Sequence, residues 1–221
     1  MRIRESDTSL DGKKFVTLAL VFYGIMALVG CIWYRIAAGV SVLRCLPPAE
    51  RLRPGLELGL IAAAFLANLL FDTAGPRHSK VLRRFQQSMR AVLDPLGPLR
   101  TGEIAALSIL SGLGEEILFR GALQYSFGFV PATILFALSH YPMKREMWVW
   151  PVYALAMGAV LGTLRILGGD IWSAVLLHAL INCVSLYLIA GRNFSGEQAN
   201  EPPDEEHSDG AGDSQLHGDG H

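Results

Sequence analysis

The chain has 221 residues, 51% of them hydrophobic and 18% charged, with a formal net charge of −1. That balance gives no reason to expect nucleic acid as a partner. Several apolar runs of about 18 residues or more instead place the chain with membrane proteins, with the bilayer as its surroundings.

In chain order, Met1–Lys14 is a polar arm with four basic residues. Phe15–Tyr34 then runs uncharged for about 20 residues, enough to cross a ~30 Å hydrocarbon core. Its "LVGC", Leu28 to Cys31, looks like a lipoprotein cleavage box. The apolar run continues through Ile32, Trp33 and Tyr34, however, and is longer than a signal h-region, so the segment reads as a first membrane helix. Cys31, Cys45 and Cys183 form no pattern and read as small core residues. Arg35–Gly55 is expected to be a loop broken by Pro47, Pro48 and Pro54. Leu58–Phe71 is short, and spans with Leu56 and Glu57 only if the bilayer thins.

Asp72–Thr101 holds six Lys and Arg residues. Within it Val81, Leu82, Phe85, Met89 and Val92 share one helical face, the pattern of an amphipathic helix at a membrane surface with its bases toward lipid headgroups. Ile104–Phe127 is long enough to span only if it carries Glu115, Glu116 and Arg120 inside it. Pro131–Tyr141 is too short to cross at ~1.5 Å per residue. Met147–Leu164 and Ile171–Gly191 are two further spans. Beyond Gly191 the composition turns to Glu, Asp, Gly, Ser, Pro and His without apolar periodicity, a disordered tail in which His207, His217 and His221 read as solvated.

The expected fold is therefore all-α: a polytopic membrane protein with about six transmembrane or membrane-embedded helices, five spanning and one short, around a polar intramembrane cavity. With the N-terminus inside, the inner segments hold thirteen Lys and Arg against five outside. This predicts a multi-pass cell-membrane protein with both termini cytoplasmic.

Ionisable groups inside apolar helices each need a partner, a wet cavity or a task. Glu116 and Arg120 are four apart and share a helical face, so they read as an ion pair. Glu115 points about 100° away and is left as the carboxylate placed to exchange a proton, the property of a general base. "FALSH" puts Phe136 and His140 one turn apart at the end of the short helix, and "LLHALIN" puts His178 and Asn182 one turn apart in the last. Polar groups in three apolar segments are expected to converge. The short helix, ending partway across the membrane, is expected to leave His140 beside a water-holding pocket. A buried base, two imidazoles, an amide donor and water suggest hydrolysis.

Glu-Glu-x-x-x-Arg at 115–120, Phe-x-x-x-His at 136–140 and His-x-x-x-Asn at 178–182, in that order, resemble the CAAX prenyl protease and bacteriocin-processing family of glutamate-type intramembrane proteases. The resemblance covers roughly Gly102–Ala190. It implies an intramembrane endopeptidase in which Glu115 and His140 activate water, His178 and Asn182 hold the oxyanion, and Glu116 and Arg120 support them. It also implies a membrane-anchored or lipid-modified protein or peptide as substrate: a prenylated C-terminus, a secreted peptide precursor, or a sorting tail of the kind the myxosortases process.

No cofactor is expected. The alternative is a zinc ion on Glu115, His140 and His178, although His-Glu-x-x-His is absent and Asn182 suits an oxyanion better. A transporter, or a non-catalytic scaffold or immunity protein, are further alternatives. The clustering of the polar groups disfavours the first and the intact motifs disfavour the second. The chain divides into an arm (1–14), two membrane helices with the basic surface helix (15–101), a catalytic core (102–191) and the tail (192–221). The glycines at 112, 114 and 121 are expected to allow close helix approach, or else to let substrate backbone reach the site.

Overall fold

The computed structural model describes residues 12–44, 53–94, 99–141 and 147–190. The N-terminal arm up to residue 11, Cys45, Pro47, Pro48, Lys144, Arg145 and the acidic tail lie outside the described residues. Every described element is helical: α1 (Gly12–Ala38), α2 (Pro54–Thr73), α3 (Gly75–His78), α4 (Lys80–Leu93), α5 (Thr101–Glu116), a π turn (Ile117–Leu123), α6 (Gln124–Phe127), α7 (Phe129–Ser139), α8 (Val149–Gly168) and α9 (Trp172–Ala190). Among the described residues, four helices are long and apolar enough to cross a membrane: Lys14–Ala38, Pro54–Thr73, Val149–Gly168 and Trp172–Ile189. The fifth expected crossing is a continuous helical rod, α5–π–α6, with the charged cluster at its middle.

Apolar side chains point outward on these helices. Leu18, Phe22, Ile25, Leu28, Ile32 and Ile36 form an exposed face along α1, a surface larger than a water-facing monomer keeps. Cys31 lies mid-helix against the packed side, and α1 continues seven residues past it.

Several boundaries differ from the sequence reading. Pro54 opens α2 rather than extending the preceding loop, because an N-terminal helical position has no hydrogen bond for proline to lose. At 20 residues, α2 reaches ~30 Å and needs no bilayer thinning. Asp72 belongs to α2 and not to the loop. Its Oδ2 accepts from Asn68 Nδ2 (3.1 Å) and Ser185 Oγ (2.6 Å). The short helix begins at Phe129 and ends at Ser139, two residues earlier at each end than the apolar run suggests, so His140 caps it. The amphipathic helix is present as α4, capped by Ser79, whose Oγ accepts from Leu82 N–H. Its face is split: Leu82, Phe85 and Met89 are partly covered while Val81 and Val92 stay exposed.

Cross-helix contacts fix the order of the bundle. Trp33 donates to Ser126 Oγ, and a Cβ on Gly114 would stand 2.7 Å from the Tyr23 carbonyl oxygen, so α1 runs parallel to the rod. Ser111 meets Asn182 while Glu116 meets His178, so α9 runs antiparallel to it. Glu57 accepts from Ser173 and Asn68 meets Ser185, so α2 runs parallel to α9. Arg120 and Gln124 donate to the carbonyls of Gly158 and Gly162, so α8 is parallel to the rod. The start of α1, the end of α9, the α3–α4 segment and the start of α5 thus lie toward one face.

The close-packing role of the glycines is visible where helix backbones meet. A Cβ on Gly112 would lie 3.1 Å from Ala179 N, and one on Gly30 would lie 2.9 Å from Leu118 Cα. Gly121 is tight only against the Val42 side chain.

Candidate active site

The site is built on the middle of the rod. Gly114–Ile117 and Phe119–Leu123 are all buried, as in a helix surrounded on every side. Here the regular α-helix gives way to the π turn, a local widening that recurs at functional sites.

Glu116 is fully buried and Arg120 is 2% exposed, with Arg120 Nη1 3.2 Å from Glu116 Oε1. That contact is close but not aligned as a hydrogen bond. Arg120 is held additionally by Nη2 donating to Gly158 O (3.2 Å) and by its guanidinium lying 4.0 Å above the Phe136 ring. The expected ion pair is thus formed, and two charges that would each be costly alone are buried together.

His178 Nδ1 lies 2.8 Å from Glu116 Oε1. With Glu116 ionised, Nδ1 carries the proton and donates it, leaving Nε2 as the ring atom aimed elsewhere. That atom lies 3.9 Å from Glu115 Oε2. His140 is oriented the same way by a different partner. Its Nδ1 lies 2.8 Å from the Phe136 carbonyl, which can only accept, so His140 Nε2 is the unprotonated nitrogen of the neutral ring. It faces Glu115 Oε2 at 3.7 Å. Glu115 Oε2 is itself buried without a hydrogen-bond partner.

Two acceptors, a carboxylate oxygen and an imidazole nitrogen, therefore face one another across a gap too long for a direct hydrogen bond. A water entering from the pocket beside His140 would donate to both.

His140, His178 and Asn182 line one pocket of ≈ 60 Å³ with Phe136, Trp150, Tyr153 and other apolar residues of α8 and α9, ample for water. Asn182 Nδ2 donates to Ser111 Oγ at 2.9 Å, which leaves its second amide proton available. Phe136 is the shared wall: its ring meets His140 (4.6 Å), Phe119 (5.2 Å) and His178 (6.0 Å between centroids) as well as Arg120.

All the residues singled out in the sequence are thus brought to one place. Ser111, Gly158, Trp150 and Tyr153 were missed. Ser111 could have been found, since it is one turn before Glu115. The other three are on α8, whose facing side has no charged residue to mark it.

A tetrahedral zinc ion with bonds of ~2.1 Å needs its ligand atoms ~3.4 Å apart, whereas the ring nitrogens lie 3.7 and 3.9 Å from Glu115 Oε2. Among the described residues no group of three or more His, Cys, Asp or Glu is arranged to hold a metal ion.

Fold and site together define a polytopic helical membrane protein with two carboxylates and two imidazoles at its centre. Residues 99–184 match the family model described as type II CAAX prenyl endopeptidase, Rce1-like. This segment contains all of the motif residues above and is similar to CAAX-type intramembrane proteases. No curated protein and no solved structure matches the chain.

Proposed function

We propose that the protein is an intramembrane endopeptidase that hydrolyses a peptide bond near the C-terminus or membrane anchor of a membrane-associated substrate, without a metal. The observation that carries this reading is that Glu115 Oε2 and His140 Nε2, two acceptors, face each other at 3.7 Å, a pair that one two-proton donor would satisfy.

Water held there gives one proton to Glu115 as its oxygen bonds to the scissile carbonyl carbon. The negative charge that develops on the carbonyl oxygen is met by Asn182 Nδ2–H and by His178. Because His178 Nδ1–H is already committed to Glu116, its Nε2 donates to the oxyanion only in the imidazolium form. The Glu116 carboxylate fixes the ring through Nδ1, and Arg120 holds Glu116 in place. When the C–N bond breaks, the proton taken by Glu115 passes to the departing amine, which restores the carboxylate. The face shared by the α1 start, the α9 end and α4 is assigned to the cytoplasm, since the basic segments gather there.

The test is cleavage by Glu115→Gln against wild type, at matched protein levels, read as the C-termini of the membrane proteome. The reading expects a defined set of tails to stay uncut in Glu115→Gln, with a rate loss of ~10²–10⁴. Unchanged C-termini in Glu115→Gln would overturn it.

A further inference from the structure

Away from the candidate active site, a second pocket of ≈ 340 Å³ lies where α2 turns through α3 into α4, lined by Thr73, Pro76, Arg77, Arg83, Gln86, Gln87 and Arg90. Arg83, Gln86, Gln87 and Arg90 stand at i, i+3, i+4 and i+7, one stripe of α4, beside its apolar face and not on it. Three guanidiniums thus face one concavity without an ion pair to any described acid. Arg83 Nε is occupied by the Pro76 carbonyl (3.2 Å), and Gln86 Nε2 donates to the Asp72 carbonyl (3.0 Å). Both bonds pin the wall of the pocket to the end of α2. Arg90 Nε is buried and has no hydrogen-bond partner. The pocket thus carries three positive charges that no described acid neutralises.

We propose that this pocket binds the phosphate of an anionic lipid headgroup. A phosphate offers several acceptor oxygens, and guanidiniums bind it with paired N–H groups. Lipid is the source because Val81 and Val92 of the same helix are exposed apolar residues, placed to enter the acyl boundary while the stripe meets the headgroup layer. The pocket is larger than a phosphate alone requires, which leaves room for the remainder of the headgroup. The proposal stands whether or not the protein is a protease.

The test uses the full chain in a neutral detergent, with bound lipid counted by native mass spectrometry. The probes are short-chain phosphatidylglycerol, the matching phosphatidylcholine, and inorganic phosphate. One saturable phosphatidylglycerol per chain is expected, weakened about tenfold, equivalent to ~1.4 kcal/mol, by Arg90→Gln. Arg77→Gln and Arg83→Gln, both at exposed positions, are expected to weaken it in the same direction without loss of folding. Arg84→Gln, on α4 but outside the pocket, is expected to leave it unchanged. Equal weakening by Arg84→Gln would mean diffuse charge attraction and overturn the site. Equal binding of phosphatidylcholine would assign the lipid to the apolar face and overturn it too. Displacement of the lipid by equimolar inorganic phosphate would overturn the lipid as its source.

Discussion

Arg120→Met gives the sharpest test of what holds the site together. The substitution keeps an unbranched apolar stem of similar reach and deletes the charge. Glu116 is fully buried, and its Oε2 already lacks a partner, so only His178 Nδ1 would remain to compensate it. Removing one member of a buried pair costs ~3–5 kcal/mol, and the lost contact with the Phe136 face accounts for up to ~2 kcal/mol within that figure. For a chain of this size ~1 kcal/mol moves the thermal midpoint by about 2–4 °C, which predicts a fall of roughly 6–20 °C at a fixed scan rate. The double variant Arg120→Met/Glu116→Gln removes both charges and should recover more than half of that loss. It should stay inactive, because the carboxylate that orients His178 is gone. The assay pairs midpoints from intrinsic tryptophan fluorescence with cleavage of a membrane-tethered reporter. A single variant within about 3 °C of wild type, or a double variant equal to the sum of its parts, would refute the claim that Arg120 is present to neutralise Glu116.

Three further outcomes follow from the same geometry. Asn182→Ala should lower kcat by ~10²–10³, as for a lost oxyanion donor. Ser111→Ala, which removes only the group holding the amide, should cost about tenfold or less, and equal losses in kcat would reduce Asn182 to a packing residue. Gly114→Ala drives a methyl to 2.7 Å from the Tyr23 carbonyl and should destabilise by ~1–3 kcal/mol, visible as a lower midpoint; an unchanged midpoint would show that α1 packs loosely on the rod. Cleavage should be unaffected by prolonged dialysis against a strong chelator, and loss of activity restored by zinc would install the metal alternative.

Apolar run length made the membrane helices legible, since nothing else explains about 20 uncharged residues in succession. The pairing of Glu116 with Arg120 was legible from their spacing. The convergence of His140 and His178 on Glu115 was legible because isolated ionisable groups in hydrocarbon are costly. What was hidden depends on tertiary partners. Nothing in Ile117–Leu123 marks a π turn, because the turn is stabilised partly from outside, by the Arg120 and Gln124 side chains reaching α8 carbonyls. Asp72 read as a loop residue because an acid after an apolar run resembles a helix end. It is instead retained in α2 by hydrogen bonds from Asn68 and Ser185, residues on two helices far apart in sequence. Tyr153 joins this network through Asn68 and also lines the pocket of His140 and His178, so a contact invisible in the sequence shapes the wall of the candidate site.

The broken helix connects folding with chemistry. Ending α7 at Ser139 leaves carbonyls without intrahelical partners at a depth where water is scarce, and each must be satisfied locally. Ser139 Oγ donates to the Phe136 carbonyl at 2.7 Å, and His140 Nδ1 shares the same oxygen at 2.8 Å. The proton that caps the helix is therefore the one that fixes the tautomer of His140. It leaves the Nε2 lone pair facing Glu115. A helix continued across the membrane would satisfy its own carbonyls, and a histidine along it would have no fixed tautomer and no wet space beside it. Stopping the helix short supplies the bond that orients the imidazole and also the room for the water it faces.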